Sequence, residues 1–358
     1  MEEVLLRVAN GDLIKRIDDS VIISFAGKRE VLSSCVYNGG WRSDLQAVLN
    51  HHPQPERQAM NLDDYQKNMS TLCKKLGYAP ERVATMGTGV SMKDVVIKRE
   101  LVDGLEIIVV VTAGAEGNAG RAGDKAVYSG KTNKMLPPGT INIMVYFNAE
   151  LCPGTMARAI VMVTEAKTAA LQELMIGSMY SQGLATGTGT DQIIIIANPQ
   201  GKYLVNDCGK HTKPGEMVGG LVKLAVKEAL YKRNGYNGKE MHRVLRRMAR
   251  FGITETTMLE EYNTLYDKKI TRGELKKAMD NLDRDVSIVA GTSFYAHLLD
   301  QWEWNLLSNA EVELWSDYLL ENMIKEKQAN LRSEHTLAAY LTKWKHIYYM
   351  ALAKGLNK

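Results

Sequence analysis

The sequence predicts an α/β or α+β core, a mixed sheet with packed helices, followed by an all-helical C-terminal module. Three observations carry this reading. Short β-branched runs alternate with turn residues as far as residue 198. Helical periodicities interrupt those runs, and after Gly235 no strand-like run remains. Strands are expected at residues 21–25, 30–36, 105–112, 140–147 and 191–198. Asn10-Gly11-Asp12, Asn38-Gly39-Gly40, Pro137-Pro138-Gly139 and Asn198-Pro199-Gln200-Gly201 read as the turns between them. A helix over 62–76 places Tyr65, Met69, Leu72 and Leu76 on one stripe. A second, over 154–180, follows Pro153 and stops before Gly183. A third, over 214–232, opens on Pro214 at a first-turn position. Beyond them, residues 239–251 align Met241, Val244, Leu245, Met248 and Phe251, and 274–282, 293–307, 310–325 and 337–353 show the same helical period. Asn234-Gly235-Tyr236-Asn237-Gly238 separates the two parts, giving a core of residues 1–235 and a module of residues 236–358.

Composition narrows the function classes. A hydrophobic fraction of 45% and a charged fraction of 24% belong to a globular chain, not a disordered or collagenous one. A net charge of +4 over 358 residues gives no argument for nucleic acid. Cys35, Cys73, Cys152 and Cys208 lie far apart with no CxxC pair. The start, Met-Glu-Glu, has neither a basic n-region nor an apolar h-region. No apolar run approaches the roughly 18 residues that a membrane helix needs. A cytoplasmic protein with reduced, buried thiols is therefore expected.

Familiar site motifs are missing. Residues 117–125 resemble a P-loop but carry Asp124 where the pattern needs lysine. No GxGxxG follows a strand, HExxH and GxSxG are absent, and the histidines show no zinc spacing. Small and amide-bearing residues gather instead after apolar runs. Met86-Gly87-Thr88-Gly89-Val90 and Thr186-Gly187-Thr188-Gly189-Thr190-Asp191 are near-duplicates; Thr112 to Gly120 and Gly139-Thr140-Ile141-Asn142 are further examples. Any one segment taken alone reads as a tight turn. Four in one core point to a binding cleft, because glycine lets a ligand approach backbone N–H groups. Lys167 adds a second signal, since it falls on the apolar stripe of Met156, Ile160, Val163, Ala170 and Leu174. A lysine there must snorkel, pair with an acid or point into a site. Thr164 and Thr168 flank it, while Glu165 lies about 200° around the helix, at about 100° per residue.

These segments, in order, resemble the adenosylcobinamide amidohydrolases of corrinoid salvage. The resemblance runs over roughly residues 20–230 through Asn38-Gly39-Gly40, Asn50-His51-His52, Thr88-Gly89-Val90, Thr112-Ala113-Gly114, Asn118-Ala119, Gly139-Thr140-Ile141-Asn142, Thr164-Glu165-Ala166-Lys167 and the run from Thr186 to Asp191. It does not reach the helical module. What it implies is hydrolysis of the amide joining aminopropanol to the corrin ring, giving adenosylcobyric acid and 1-aminopropan-2-ol. The cobalt corrinoid is then the substrate, and no metal, nucleotide or redox cofactor is required. Choosing one secondary amide among several primary ones calls for many fixed donors and acceptors. Asn38, Gly39, Gly40, His51, Thr88, Gly89, Asn118, Thr140, Asn142, Thr164, Gly187 and Gly189 are the expected substrate contacts.

For catalysis the expected residues are Glu165, Lys167, Thr188 and Asp191. Glu165 or Asp191 would activate a water, with Lys167 stabilising the oxyanion or protonating the leaving amine; a Thr188 nucleophile is the alternative. The plain readings stand beside these: Thr164 and Thr168 back-bond to the helix, Asp191 caps a turn, and Asn118 and Asn142 brace loops. A rival class is a non-catalytic corrinoid carrier or chaperone. Against it, the DxHxxG pattern of base-displacing cobamide proteins is missing, since Asp207 and His211 are four apart. His211 itself reads as a surface loop residue. Arg243, Arg246, Arg247 and Arg250 form a basic face that could meet nucleic acid or an acidic partner. With 18 basic and 17 acidic residues over 236–358, a solvated helix face is the better account, and no nucleic acid or membrane is expected. The module could cover the corrin pocket, join a homo-oligomer or stabilise the core.

Overall fold

Side chains alternate across a strand, so a strand buried on both faces must be apolar at every position. The central strands meet that condition. In a computed structural model describing residues 2–53, 62–115, 117–126, 139–265, 271–325 and 334–356, the chain divides into two compact units, Met1–Asn237 and Gly238–Lys358. Pro137 and Pro138 of one expected turn lie outside the described residues. Among those residues, no helix is long and apolar enough to cross a membrane.

The first unit contains strands β1 (Glu2–Arg7), β2 (Leu13–Ile17), β3 (Ser20–Ser24), β4 (Glu30–Ser33), β5 (Gly40–Arg42), β6 (Ala47–His51), β7 (Val83–Gly87), β8 (Val96–Val102), β9 (Leu105–Gly114), β10 (Ala119–Gly120), β11 (Thr140–Phe147), β12 (Glu150–Leu151), β13 (Gly187–Thr188), β14 (Gln192–Ala197) and β15 (Leu204–Val205). Its helices are α1 (Leu62–Lys75), α2 (Pro153–Glu173) and α3 (Lys213–Asn234). One sheet has the order β1-β2-β3-β6-β7 and the other β5-β4-β14-β11-β9-β8; β10 pairs with β13 and β12 with β15. Pairing is antiparallel except at β6–β7, β11–β14 and β12–β15.

The two sheets lie face to face. Ile14, Val21, Ile23, Val48, Ala84 and Met86 of the first pack against Ile108, Val110, Met144, Tyr146, Ile194 and Ile196 of the second. The alternate residues of the second sheet, such as Val109, Val111, Ile143 and Ile195, pack under α2 and α3. Ile22, Ala47, Leu49 and Val83 do the same beneath Cys73 of α1. The result is four layers, helix, sheet, sheet and helix. Each fully buried aliphatic side chain contributes about 2 kcal/mol of transfer free energy.

The second unit holds α4 (Gly238–Met241), α5 (Val244–Met248), α6 (Glu255–Leu265), α7 (Arg272–Leu282), α8 (Val286–Glu303), α9 (Asn309–Ile324) and α10 (Leu337–Leu356). Capping boxes at Thr271/Glu274 and Ser308/Glu311 start α7 and α9. Trp344, Tyr295, Tyr340 and Tyr348 fill its core. The continuous helix expected at 239–251 is broken into α4, α5 and a 3₁₀ turn at Ala249–Phe251. Its basic face is partly turned inward. Arg250 makes a buried bidentate pair with Asp300 at 2.5 and 2.8 Å, and Arg243 meets Asp283 at 3.4 Å.

Helix α2 also ends earlier than the periodicity predicts. Leu174 caps it, Met175 turns left-handed at φ 53°, and the N–H of Ile176 closes back on the carbonyl of Leu171. This frees residues 175–186 to wrap beside β10 and β13.

Candidate active site

Asp191 enters at the foot of β14, directly after the glycine–threonine turn. Its carboxylate accepts four hydrogen bonds. The ammonium of Lys167 reaches Oδ2 at 2.5 Å and the Thr188 N–H reaches it at 2.9 Å. The Thr188 hydroxyl donates to Oδ1 at 2.5 Å, and the Ile141 N–H does so at 2.8 Å. Lys167 thus pairs with an acid, and only 8% and 9% of the two side chains are exposed. Gly187 leaves room for this pair. A Cβ there would lie 2.5 Å from Asp191 Oδ2 and 2.8 Å from Lys167 Nζ, inside the ion pair.

The cluster floors a cleft of about 590 Å³ whose lining includes Asn118, Thr164, Lys167, Thr168, Tyr180, Thr186, Gly187, Thr188 and Gly189. The Thr140 and Thr190 hydroxyls meet at 2.6 Å, and each also lies within hydrogen-bond reach of the Gly139 carbonyl, at 2.8 and 3.2 Å. Asn118, only 1% exposed, sends its amide N–H₂ to the same carbonyl at 3.1 Å.

Other expected residues gather at the ends of β6, β7 and β11, between the sheets. Asn142 donates to Asn50 Oδ1 at 2.8 Å and to the Gly87 carbonyl at 3.1 Å, while Asn50 donates to Thr112 Oγ1 at 2.7 Å. Thr88 is buried, and its hydroxyl accepts the Val90 N–H at 3.1 Å, with Gly89 between them. His51 Nδ1 lies 2.9 Å from Ser20 Oγ, and burial lowers its pKa. Asn38 braces a turn, donating to the carbonyls of Pro80 and Val83 from a left-handed backbone at φ 53°. Gly39 and Gly40 complete that turn, with Gly39 against the Cys35 carbonyl. None of these residues lines the cleft.

Glu165 stands apart from this cluster. It faces away from the Lys167–Asp191 pair and bonds Lys210 at 2.5 Å in a separate surface groove with Arg158, Val161, Met162, Cys208 and Gly209. The reason is the helix itself, since two residues along α2 turn a side chain to nearly the opposite face. Thr164, by contrast, lines the cleft while back-bonding to the Ile160 carbonyl at 2.9 Å. The thiol expectation also changes: Cys35, Cys73 and Cys208 are buried, but Cys152 is exposed.

Several cleft residues escaped sequence reasoning. Tyr180 was hidden inside an expected helix. Asp124 looked only like a failed P-loop, yet its carboxylate receives Ser178 Oγ at 2.6 Å and the Arg121 N–H at 2.7 Å. Burial acts to raise the Asp124 carboxyl, but donors from Ser178, Ser181 and Arg121 outweigh it and hold the pKa below the ordinary value. Among the described residues, no group of three or more His, Cys, Asp or Glu is placed to hold a metal ion.

The arrangement offers a hydroxyl poised on a carboxylate, an ammonium on the other oxygen of that carboxylate, and a cleft rich in amide and hydroxyl groups. Among known proteins, the chain is 37% identical over 230 residues to Uncharacterized protein MJ1613 of Methanocaldococcus jannaschii, covering 60% of this chain and 87% of that one. Among solved structures, the PH0078 protein from Pyrococcus horikoshii OT3 aligns at 10% identity and a TM-score of 0.31, over 64% of this chain and 82% of that one. A Burkholderia sp. beta-aminopeptidase aligns at 13% identity and a TM-score of 0.31, over 63% and 81%. At those scores neither structure bears on fold or function. A family model described as Adenosylcobinamide amidohydrolase matches residues 6–238, all but the start of the first unit and with it the whole Lys167–Thr188–Asp191 cluster, and the chain therefore belongs to the adenosylcobinamide amidohydrolase family.

Proposed function

We propose that this chain hydrolyses the amide between the corrin ring and aminopropanol in adenosylcobinamide, releasing adenosylcobyric acid and 1-aminopropan-2-ol. The observation that carries the mechanism is the Thr188 hydroxyl resting 2.5 Å from the carboxylate of a buried lysine–aspartate pair. Thr188 Oγ1 attacks the amide carbon as its proton passes to Asp191 along the existing hydrogen bond. Lys167 keeps the carboxylate charge compensated, protonates the departing amine as the C–N bond breaks, and regains its proton from Asp191 across their hydrogen bond. Water then cleaves the threonyl ester, giving the corrinoid carboxylic acid and restoring the hydroxyl. The small-molecule corrinoid is the partner, and no nucleotide, redox group or added metal takes part. In this reading Glu165, which bonds Lys210 in a separate groove, takes no part in these steps.

The test is a mass-spectrometric assay of purified protein with adenosylcobinamide, following adenosylcobyric acid and free aminopropanol. Multiple turnovers support the proposal. Stoichiometric binding without either product refutes it and leaves a corrinoid carrier.

A further inference from the structure

Tyr180 shares the cleft with Thr188, and its hydroxyl has a partner there. It donates to Asn118 Oδ1 at 2.9 Å. The tyrosine is itself firmly placed. Met179 N–H bonds the Ala119 carbonyl at 2.9 Å, Tyr180 N–H bonds Ser178 Oγ at 3.0 Å, and Ser178 is held by Asp124. The ring lies close against Gly120, where a Cβ would come within 3.3 Å of Cδ2.

Asn118 is the link to the reacting loop. Its Nδ2 donates to the Gly139 carbonyl, and its backbone carbonyl accepts the N–H of Gly189 at 3.3 Å. Its Oδ1 is also pressed toward Gly189, where a Cβ would lie 3.0 Å away. An asparagine amide has nearly the same shape either way round, so only its partners decide which end is oxygen. The Gly139 carbonyl, which can only accept, turns the N–H₂ toward itself, and the Tyr180 hydroxyl then donates to the oxygen on the other side and pins the amide from there. Reversed, the amide oxygen would face the Gly139 carbonyl, two acceptors with no proton between them.

We infer that Tyr180 is a positioning residue: its hydroxyl fixes the Asn118 amide, and Asn118 holds the 186–191 loop that presents Thr188. This rests on the reading of Thr188 as nucleophile in an amide hydrolase, and it adds a residue to that machinery.

The experiment compares wild type, Tyr180→Phe, Asn118→Ala and the double variant in the full-length chain. Two readouts are used: steady-state kinetics on adenosylcobinamide, and hydrogen exchange of peptides spanning 186–191. Tyr180→Phe keeps the ring and removes one hydroxyl. It should lower kcat about tenfold, as expected when a buried acceptor loses its donor, and leave KM within about twofold. Exchange in 186–191 should quicken, while peptides of the helical unit stay unchanged. In the double variant the phenylalanine should add nothing to Asn118→Ala, because both act through one contact. A raised KM with unchanged kcat would make Tyr180 a substrate contact and overturn the inference. Multiplying effects in the double variant, or unchanged exchange in Tyr180→Phe, would overturn it too. If wild type shows no turnover, the proposed function fails, and the exchange data alone then decide whether Tyr180 holds the loop.

Discussion

Replacing Lys167 by methionine removes the ammonium from the buried pair while nearly conserving side-chain volume. The carboxylate of Asp191 is then left charged at a site where only 9% of it meets solvent. Breaking a buried pair from one side costs about 3–5 kcal/mol. Here the lower end applies, because Asp191 keeps the N–H groups of Ile141 and Thr188 and the Thr188 hydroxyl. A loss of about 3 kcal/mol corresponds to an opening roughly 150-fold more frequent, at about 1.4 kcal/mol per factor of ten. Hydrogen exchange of peptides covering α2 and residues 186–197 measures that opening directly. Asp191→Asn and the double variant complete a cycle. The double variant should be no worse than the poorer single, since it strands no charge, giving a coupling of about 2 kcal/mol or more. Single variants that change exchange less than about threefold (under ~0.7 kcal/mol), or effects that simply add, would refute the claim that this pair anchors the loop.

Four further outcomes are expected. Thr188→Val should lower turnover on the order of 10³-fold while corrinoid binding, followed by the corrin spectrum, persists; Thr188→Ser should keep part of the activity, and equal activity in all three would exclude the threonine. Glu165→Gln should turn over within about twofold of wild type, and its inactivity would return the base to that carboxylate. His51 is held neutral by burial, with its pKa below the ordinary 6.5. Below about pH 6.5 the unfolded chain takes up a proton that the folded one refuses, so stability present above that pH falls on acidification toward the lowered value. The urea midpoint should drop between pH 7.5 and 5.5 more in wild type than in His51→Asn, and identical drops would dismiss the histidine. Burial pushes the thiols of Cys35 and Cys208 to about 12 and of Cys73 to about 11. A thiol reagent at pH 8 should therefore label exposed Cys152 first and the other three only on unfolding; rapid labelling of a second thiol would contradict their burial.

Local chemistry made parts of this site legible in the sequence. A lysine on an apolar stripe announced a buried charge, and the glycine–threonine run announced backbone brought close to something. What sequence spacing could not supply was direction. Lys167 and Asp191 are 24 residues apart, and only the docking of α2 on β14 brings them together. Glu165 has the right chemistry, but the packing of the same helix turns it outward. Tyr180 was lost because the expected helix runs on as far as residue 180, whereas the left-handed backbone at Met175 ends α2. Strands β1 and β8 were missed for a related reason: their many charged residues face solvent at sheet edges and dilute the β-branched signal. The apolar runs of β9, β11 and β14 were found because burial on both faces leaves little room for any other residue type.

The bridge from Asn50 to Asn142 bears on how the two sheets find one alignment. Greasy faces attract without direction, so a sandwich held only by them could slide by a residue pair at little cost. Two amides meeting at one point act as a dowel between planks, because any slip would leave both without partners in a dry interior. The neighbour of Asn142 is Ile141, whose N–H holds Asp191, and Asp191 holds Thr188. The joint that sets the two planks is thus mechanically continuous with the hydroxyl at the cleft floor, and a change in the seam between the sheets would be felt as a change in aim.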